Sequence, residues 1–338
     1  MTTELNPGDY FGDASKQNQQ GDERNWLINE IIKPELPNII DNVDKCLELL
    51  TSDEHFKMPI SSGLPNEPNA AYVRGILTRK RGFITDYQLI VKFKHFNRGK
   101  QCAFKMDTNK PYPLKQIDTM TDNLTTVSEL LDVLQQCEDA GQFETDLVKV
   151  LDLLSKSINL LHFPPQSLLF PYNENALLKQ MFTNSEASFQ TAHHILNIDL
   201  VILRNEISMD FRNLQKITTR PWCDFDTATG KTFTDRIRDK LKAQRGKKVS
   251  DVLHEEGLEI EEPSLLRNVF PHKNAHMATT LDEAQNVLAR CVTFESGLVS
   301  ECEKVSVATS DPSLISITSK LGALENCVSN YYTNLTLI

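Results

Sequence analysis

Residues able to do chemistry are scattered through this chain, away from the spacings that catalysis requires. His193 and His194 are adjacent, so on any regular element their side chains diverge, which suits a structural or solvent-facing role. His272 and His276 stand four apart, but they follow Pro271 with no carboxylate or thiolate at ligand spacing. Structural zinc wants four ligands, so no metal is expected there. Glu255, Glu256, Glu261 and Glu262 lack a periodic frame that would aim two carboxylates at one substrate. Gly-rich phosphate loops, HExxH, GxSxG and the kinase signatures are all missing from the sequence. The residues point away from an enzyme and from a bound cofactor, and toward a binding protein.

The densest charged cluster has a different character. Lys231–Lys248 holds eight cations against Asp235 and Asp239, and the following residues swing acidic from Asp251 to Glu262. Blocks of alternating sign usually mark a solvated excursion whose halves attract each other. The other reading is a contact surface for a partner or for anionic lipid. On that reading the candidate partner-binding residues are Arg236, Lys240, Lys242, Arg245, Lys247 and Lys248, with Phe233, Ile237 and Leu241 laying a short apolar stripe along a basic helix.

Bulk properties narrow the class. A formal charge of −10 over 338 residues argues against a general nucleic-acid binder, which would carry a basic excess. Seven cysteines, an odd number without a CxxC pair, and no apolar N-terminal run suggest a reduced, cytosolic protein whose thiols are buried as small hydrophobes. No stretch approaches 18 apolar residues, so membrane contact, if any, is peripheral.

The elements that position these residues centre on 72–134. From Phe83 the odd positions read Phe83, Thr85, Tyr87, Leu89, Val91 and Phe93, against Asp86, Gln88, Lys92 and Lys94 on the even ones. That alternation predicts a half-buried antiparallel strand. Tyr72–Thr78 precedes it across the turn-like Arg79-Lys80-Arg81-Gly82, and Gln101–Met106 follows, which makes a three-stranded meander. After Pro111 and Pro113 the period changes: Ile117, Met120, Leu124, Val127, Leu131 and Leu134 form a helical seam at spacings of three and four.

A narrow seam needs helical partners. Trp26 to Leu50 supplies one, with Pro34 and Pro37 predicting two helical pieces or a kink. Leu147 to Leu161 supplies the next, joined by a short loop into an αα-hairpin. Asp311 and Pro312 cap the last, whose seam runs from Leu314 to Tyr331. Residues 52–70 read as a connection and Asn175–Met181 as a short helix. Ile198–Leu203 reads as a strand passing into a helix that ends near Lys216. Thr280 with Glu283 reads as a capping box.

The expected fold class is α+β: a discontinuous antiparallel helical bundle plus a β-rich domain of antiparallel strands. The bundle takes 22–50, 114–162 and 311–335; the β-rich part takes 71–107, about 196–218 and 288–309. Residues 1–21 read as a disordered tail and 219–276 as a charged insertion, partly disordered.

Several segments in order resemble one family. Trp26-Leu27, Gly75-Ile76-Leu77-Thr78, Ala103-Phe104-Lys105 followed by Leu114-Lys115-Gln116-Ile117, and the strand-to-helix ending Val305–Tyr331 are similar to the Rogdi family. The resemblance implies an elongated protein, a subunit of RAVE, the regulator of the vacuolar and endosomal proton ATPase, acting as an assembly factor without turnover of its own. It also implies partners: a large β-propeller subunit, a Skp-type adaptor and cytosolic-sector subunits of the ATPase. No active-site residue is carried over. The competing expectation is a dimeric coiled-coil adaptor in vesicle trafficking, with its leucine seams shared between chains. Molar mass in solution separates the two, because a monomer rules out the coiled-coil dimer. Leu124→Asp unfolds the chain if the seams are its own core, and a folded, partner-free product sinks that reading.

Overall fold

The computed structural model describes residues 21–63, 70–173, 176–258, 260–261 and 279–338. The expected tail, apart from Gly21, lies outside the described residues, as do His272, His276 and the end of the charged insertion.

The chain enters as a π-helical stretch, Leu27–Ile32, that runs into α1, Lys33–Thr51. Pro34 has no N–H to give the Glu30 carbonyl, and the winding upstream is correspondingly wide. The amide of Lys33 reaches back five residues to the Ile28 carbonyl. The prolines thus change the pitch within one continuous helical run. Helices α2, Lys115–Gln136, and α3, Ala140–His162, form the predicted hairpin. Asp139 caps α3 by accepting from the Gly141 and Gln142 amides at 2.8 and 3.3 Å.

The last long helix, α8, Pro312–Leu337, closes the bundle. α1 packs on α2 and α8, and α3 packs on the same two, so the four make a closed ring. Leu124, Val127, Leu131 and Leu134 are 0 % exposed within a single chain, as are Leu147, Leu321 and Val328. Their apolar faces are used up internally and offer no zipper to a second chain.

The strands form two larger sheets. The first has the order β1-β2-β3-β4, from Phe56–Ser61, Tyr72–Lys80, Phe83–Lys92 and Cys102–Lys105, with the short β5, Tyr112–Pro113, also on β3. β1 falls in what reads as a connection; its alternating Phe56, Met58 and Ile60 are the signal, and Pro59 suits an edge strand. A register shift between Thr78 and Arg79 moves the inward position on β3 from Phe83 to Ile84. Ile84 is buried and Phe83 exposed, so the simple odd-position rule fails at that end. At Gly75 the strands approach closely: a Cβ there would stand 2.3 Å from the Gln88 carbonyl oxygen.

The short α4, Ala176–Gln180, falls where a helix was expected. Then comes the main departure from the sequence pattern. Residues 206–217 are strand, paired as a hairpin: β6, His194–Leu203, and β7, Glu206–Ile217. The turn residues Arg204 and Asn205 both have positive φ, 52° and 65°, which matches the right-handed twist of the flanking strands. Leu200 to Leu214 fits both periods, and the turn decides between them. The second sheet continues through β12, Cys291–Phe294, and β13, Gly297–Ser310, in the order β12-β13-β7-β6. The architecture is α+β, with antiparallel sheets and a core that runs continuously from the bundle into the sheets.

Leu124→Ala and Leu131→Ala each lower stability by about 2–5 kcal/mol, because each leaves a cavity in a fully packed seam. Urea titration reads the loss, and faster amide exchange in α1 and α8 shows that the ring loosens together.

Candidate interaction surface

The predicted basic segment lies on a folded subdomain. Strands β8, Phe225–Asp226, and β9, Lys231–Thr232, lead into α5, Phe233–Ala243, and α6, Val249–Glu255, and the short β10, Ile260–Glu261, and β11, Thr279–Thr280, pair in parallel after them. Thr232 and Asp235 form a reciprocal capping box at the start of α5. Trp222, Phe233, Ile237, Val252, Leu253 and Leu258 bury a small core of their own, joined by Ala284 of α7, Leu281–Arg290, and by Cys291 and Leu298. The described residues from 219 to 258 are therefore packed, which corrects the reading of a solvated excursion. Neither charge block could reveal this; the clue was Trp222 upstream of the stripe. Phe233 and Ile237 turn inward, and Leu241 packs against the same core. The apolar stripe holds the helix to the body and leaves only its basic side outside.

The two charge blocks neutralise part of each other. Arg236 reaches Glu256 at 3.5 Å, Lys240 pairs with the same carboxylate, and Lys247 pairs with Glu255 at 2.5 Å. Lys231 pairs with Asp239 at 2.6 Å. Arg238 turns inward, donating to the Leu288 carbonyl at 2.7 Å and to the Cys291 carbonyl. Lys242, Arg245 and Lys248 are exposed and form no ion pair with a described residue. Of the six predicted contact residues, these three are the ones without an ion pair among the described residues.

Other polar groups that could have made a site serve the fold. His193 is exposed, while His194 opens β6 with Nδ1 2.9 Å from Asn213 Oδ1. Asp199, buried on β6, accepts from Arg212 and Asn173, and from the Phe170 amide at 3.3 Å. Burial raises its carboxyl above the usual value, and the Arg212 charge opposes that rise. Asp210 on the neighbouring strand goes the other way. Burial would raise it, but hydrogen bonds from Ser306 and Lys304 and the Arg212 charge hold it below the ordinary range. The cysteines are free; Cys46 and Cys291 are buried and Cys302 is exposed. Burial pushes the Cys46 thiol up to about 11, which keeps it protonated and inert at neutral pH. Among the described residues no cluster of three metal-ligating side chains occurs, and no helix is long and apolar enough to cross a membrane.

The buried pair Arg79–Asp311 was missed by sequence reading, which placed Arg79 in a turn. Arg79 is the penultimate residue of β2 and Asp311 caps α8, and both side chains are 0 % exposed. Arg79 donates to both carboxylate oxygens, to Ser313 Oγ and to the Arg81 carbonyl at 2.6 Å. Asp311 also accepts from the Ser313 amide at 2.9 Å.

The fold is a four-helix ring closed on its own leucine seams and joined to two antiparallel sheets. The family described as "Rogdi leucine zipper containing protein" matches residues 23–336, and the chain belongs to it. It is 41 % identical over 342 residues to "Regulator of V-ATPase in vacuolar membrane protein 2" of Saccharomyces cerevisiae, across 99 % of this chain and 97 % of that relative. Asp311→Ala strands the Arg79 charge in the core and removes a helix cap, and costs about 3–5 kcal/mol. A loss of unfolding free energy in urea titration of under a third of that size would show that the pair is dispensable.

Proposed function

We propose that this chain is a non-catalytic assembly factor, a subunit of RAVE that promotes reassembly of the cytosolic sector of the vacuolar proton ATPase with its membrane sector. Through that step it supports vacuolar and endosomal acidification. The observation that carries the reading is the 41 % identity, along nearly the whole of both chains, to a protein named as a regulator of the V-ATPase in the vacuolar membrane. The chemistry agrees with it, since assembly needs broad partner surfaces and no reaction centre. The partners are a large β-propeller subunit, a Skp-type adaptor and cytosolic-sector subunits of the ATPase. The protein works from the cytoplasm and is recruited peripherally to vacuolar and endosomal membranes.

We assign Lys242, Arg245 and Lys248 to partner contact, with Arg236, Lys240 and Lys247 beside them in ion pairs that a stronger acidic partner could exchange. Deleting the chain in its own cells leaves the cytosolic sector in the soluble fraction and raises vacuolar pH on a ratiometric dye. Normal assembly in the deletion strain defeats the assembly role. Lys242→Glu, Arg245→Glu and Lys248→Glu together reduce membrane-bound cytosolic sector at least threefold with an unchanged melting temperature. Full assembly in that triple variant removes these residues from the contact.

A further inference from the structure

One face of the first sheet is turned to solvent. Register places Lys57, Pro59 and Ser61 of β1 beside Thr78, Ile76 and Arg74 of β2. These lie beside Asp86, Gln88 and Ile90 of β3, and Gln88 and Ile90 lie beside Lys105 and Ala103 of β4. Ile76 and Ile90 are each 41 % exposed, on adjacent strands one step out of register. Arg74 and Lys105 take the flanking positions, so two aliphatic side chains sit between two cations. The opposite side of the same strands, with Leu77, Tyr87, Leu89 and Phe104, is core.

A shallow, open groove of about 500 Å³ lies over this face, floored by the three strands and bordered by Thr183 and Asn184. The border is tied down: Asn184 donates to the Ala103 carbonyl at 3.0 Å and accepts from the Lys105 amide at 3.2 Å, and the Thr183 amide donates to the Lys105 carbonyl at 2.9 Å. These bonds also occupy the outer edge of β4, so a partner lies across the face and does not extend the sheet. Arg74 is held in place over the Tyr72 ring, 5.0 Å from its centroid.

The electrostatics are inverted relative to the rest of the molecule. In a chain of net charge −10, the charged groups of this face among the described residues are Lys57, Arg74, Lys92 and Lys105 against one carboxylate, Asp86. That carboxylate already accepts from Gln88 at 3.2 Å. Isolated exposed apolar residues need no explanation, but a bordered groove with paired isoleucines between cations is built for complementary chemistry.

The geometry points to this groove as the docking site for an extended acidic segment of a partner protein, one whose apolar side chains alternate with aspartate or glutamate. The apolar side chains cover Ile76 and Ile90 while the carboxylates meet Arg74 and Lys105. A bilayer surface fits less well: Thr183 and Asn184 border the groove, and Phe104, the aromatic residue that lines it, is buried in the core. The inference is independent of the assembly role, which rests on the similarity to the yeast relative.

The test places a photo-crosslinker, p-benzoylphenylalanine, at Ile90 in the full chain in its own cells, with the same substitution at exposed Lys156 as control. The crosslinked peptide, sequenced by mass spectrometry, is expected to be one protein segment with at least two carboxylates interleaved with apolar residues. Adding Arg74→Glu and Lys105→Glu is expected to cut the yield at least tenfold with an unchanged melting temperature. Crosslinks to lipid, to neutral or basic segments, or no more than at position 156 overturn the proposal. So does a yield that survives the charge reversal.

Discussion

The architecture depends on one buried ion pair. Arg79 belongs to the first sheet and Asp311 to the start of the last helix, 232 residues later, and neither side chain touches solvent. Burying two charges is expensive unless each finds several partners in good geometry. Here the guanidinium meets two carboxylate oxygens, a hydroxyl and a backbone carbonyl, with its flat face 4.8 Å from the Phe56 ring. The carboxylate in turn caps α8. One interaction therefore fixes the end of β2, packs β1, and sets where the chain leaves the second sheet to become the fourth helix.

Two further polar junctions work the same way. Gln116, at the start of α2, donates to the Leu160 and Ile202 carbonyls at 2.6 and 2.8 Å and accepts from the Ile202 amide at 2.7 Å. It thereby ties two helices to β6. Glu303 of β13 accepts from the Lys94 and His95 amides at 2.9 and 3.1 Å and from Asn213 at 2.7 Å, joining the sheets. A continuous apolar core supplies the bulk of the burial but has no direction. These few directional bonds set how the sheets sit on the bundle.

The surfaces themselves have opposite histories. The basic run around α5 is conspicuous in the sequence, yet half of it is answered by Glu255 and Glu256 once the chain folds. The basic groove on the first sheet is inconspicuous, because Lys57, Arg74, Lys92 and Lys105 come from four strands and cluster only through registry. Charge runs report linear density, whereas a docking surface depends on density in space.

The sequence alone determined what local periodicity and capping chemistry encode. The seam from Ile117 to Leu134, the Asp311–Pro312 helix start, the Thr280–Glu283 box and the β2-β3-β4 meander were all legible. Each is specified by neighbours within a turn or one hairpin. Tertiary structure alone decided the rest. It made 206–217 a strand, because a two-residue turn with positive φ placed an ambiguous apolar run beside β6 and β13. It re-aimed Ile84 through a bulge, and it buried Arg79, a residue whose type reads as turn or surface until its partner, distant in the chain, is brought beside it. Periodicity records which side of an element is apolar; only the packed chain supplies the charge that makes a buried arginine stable.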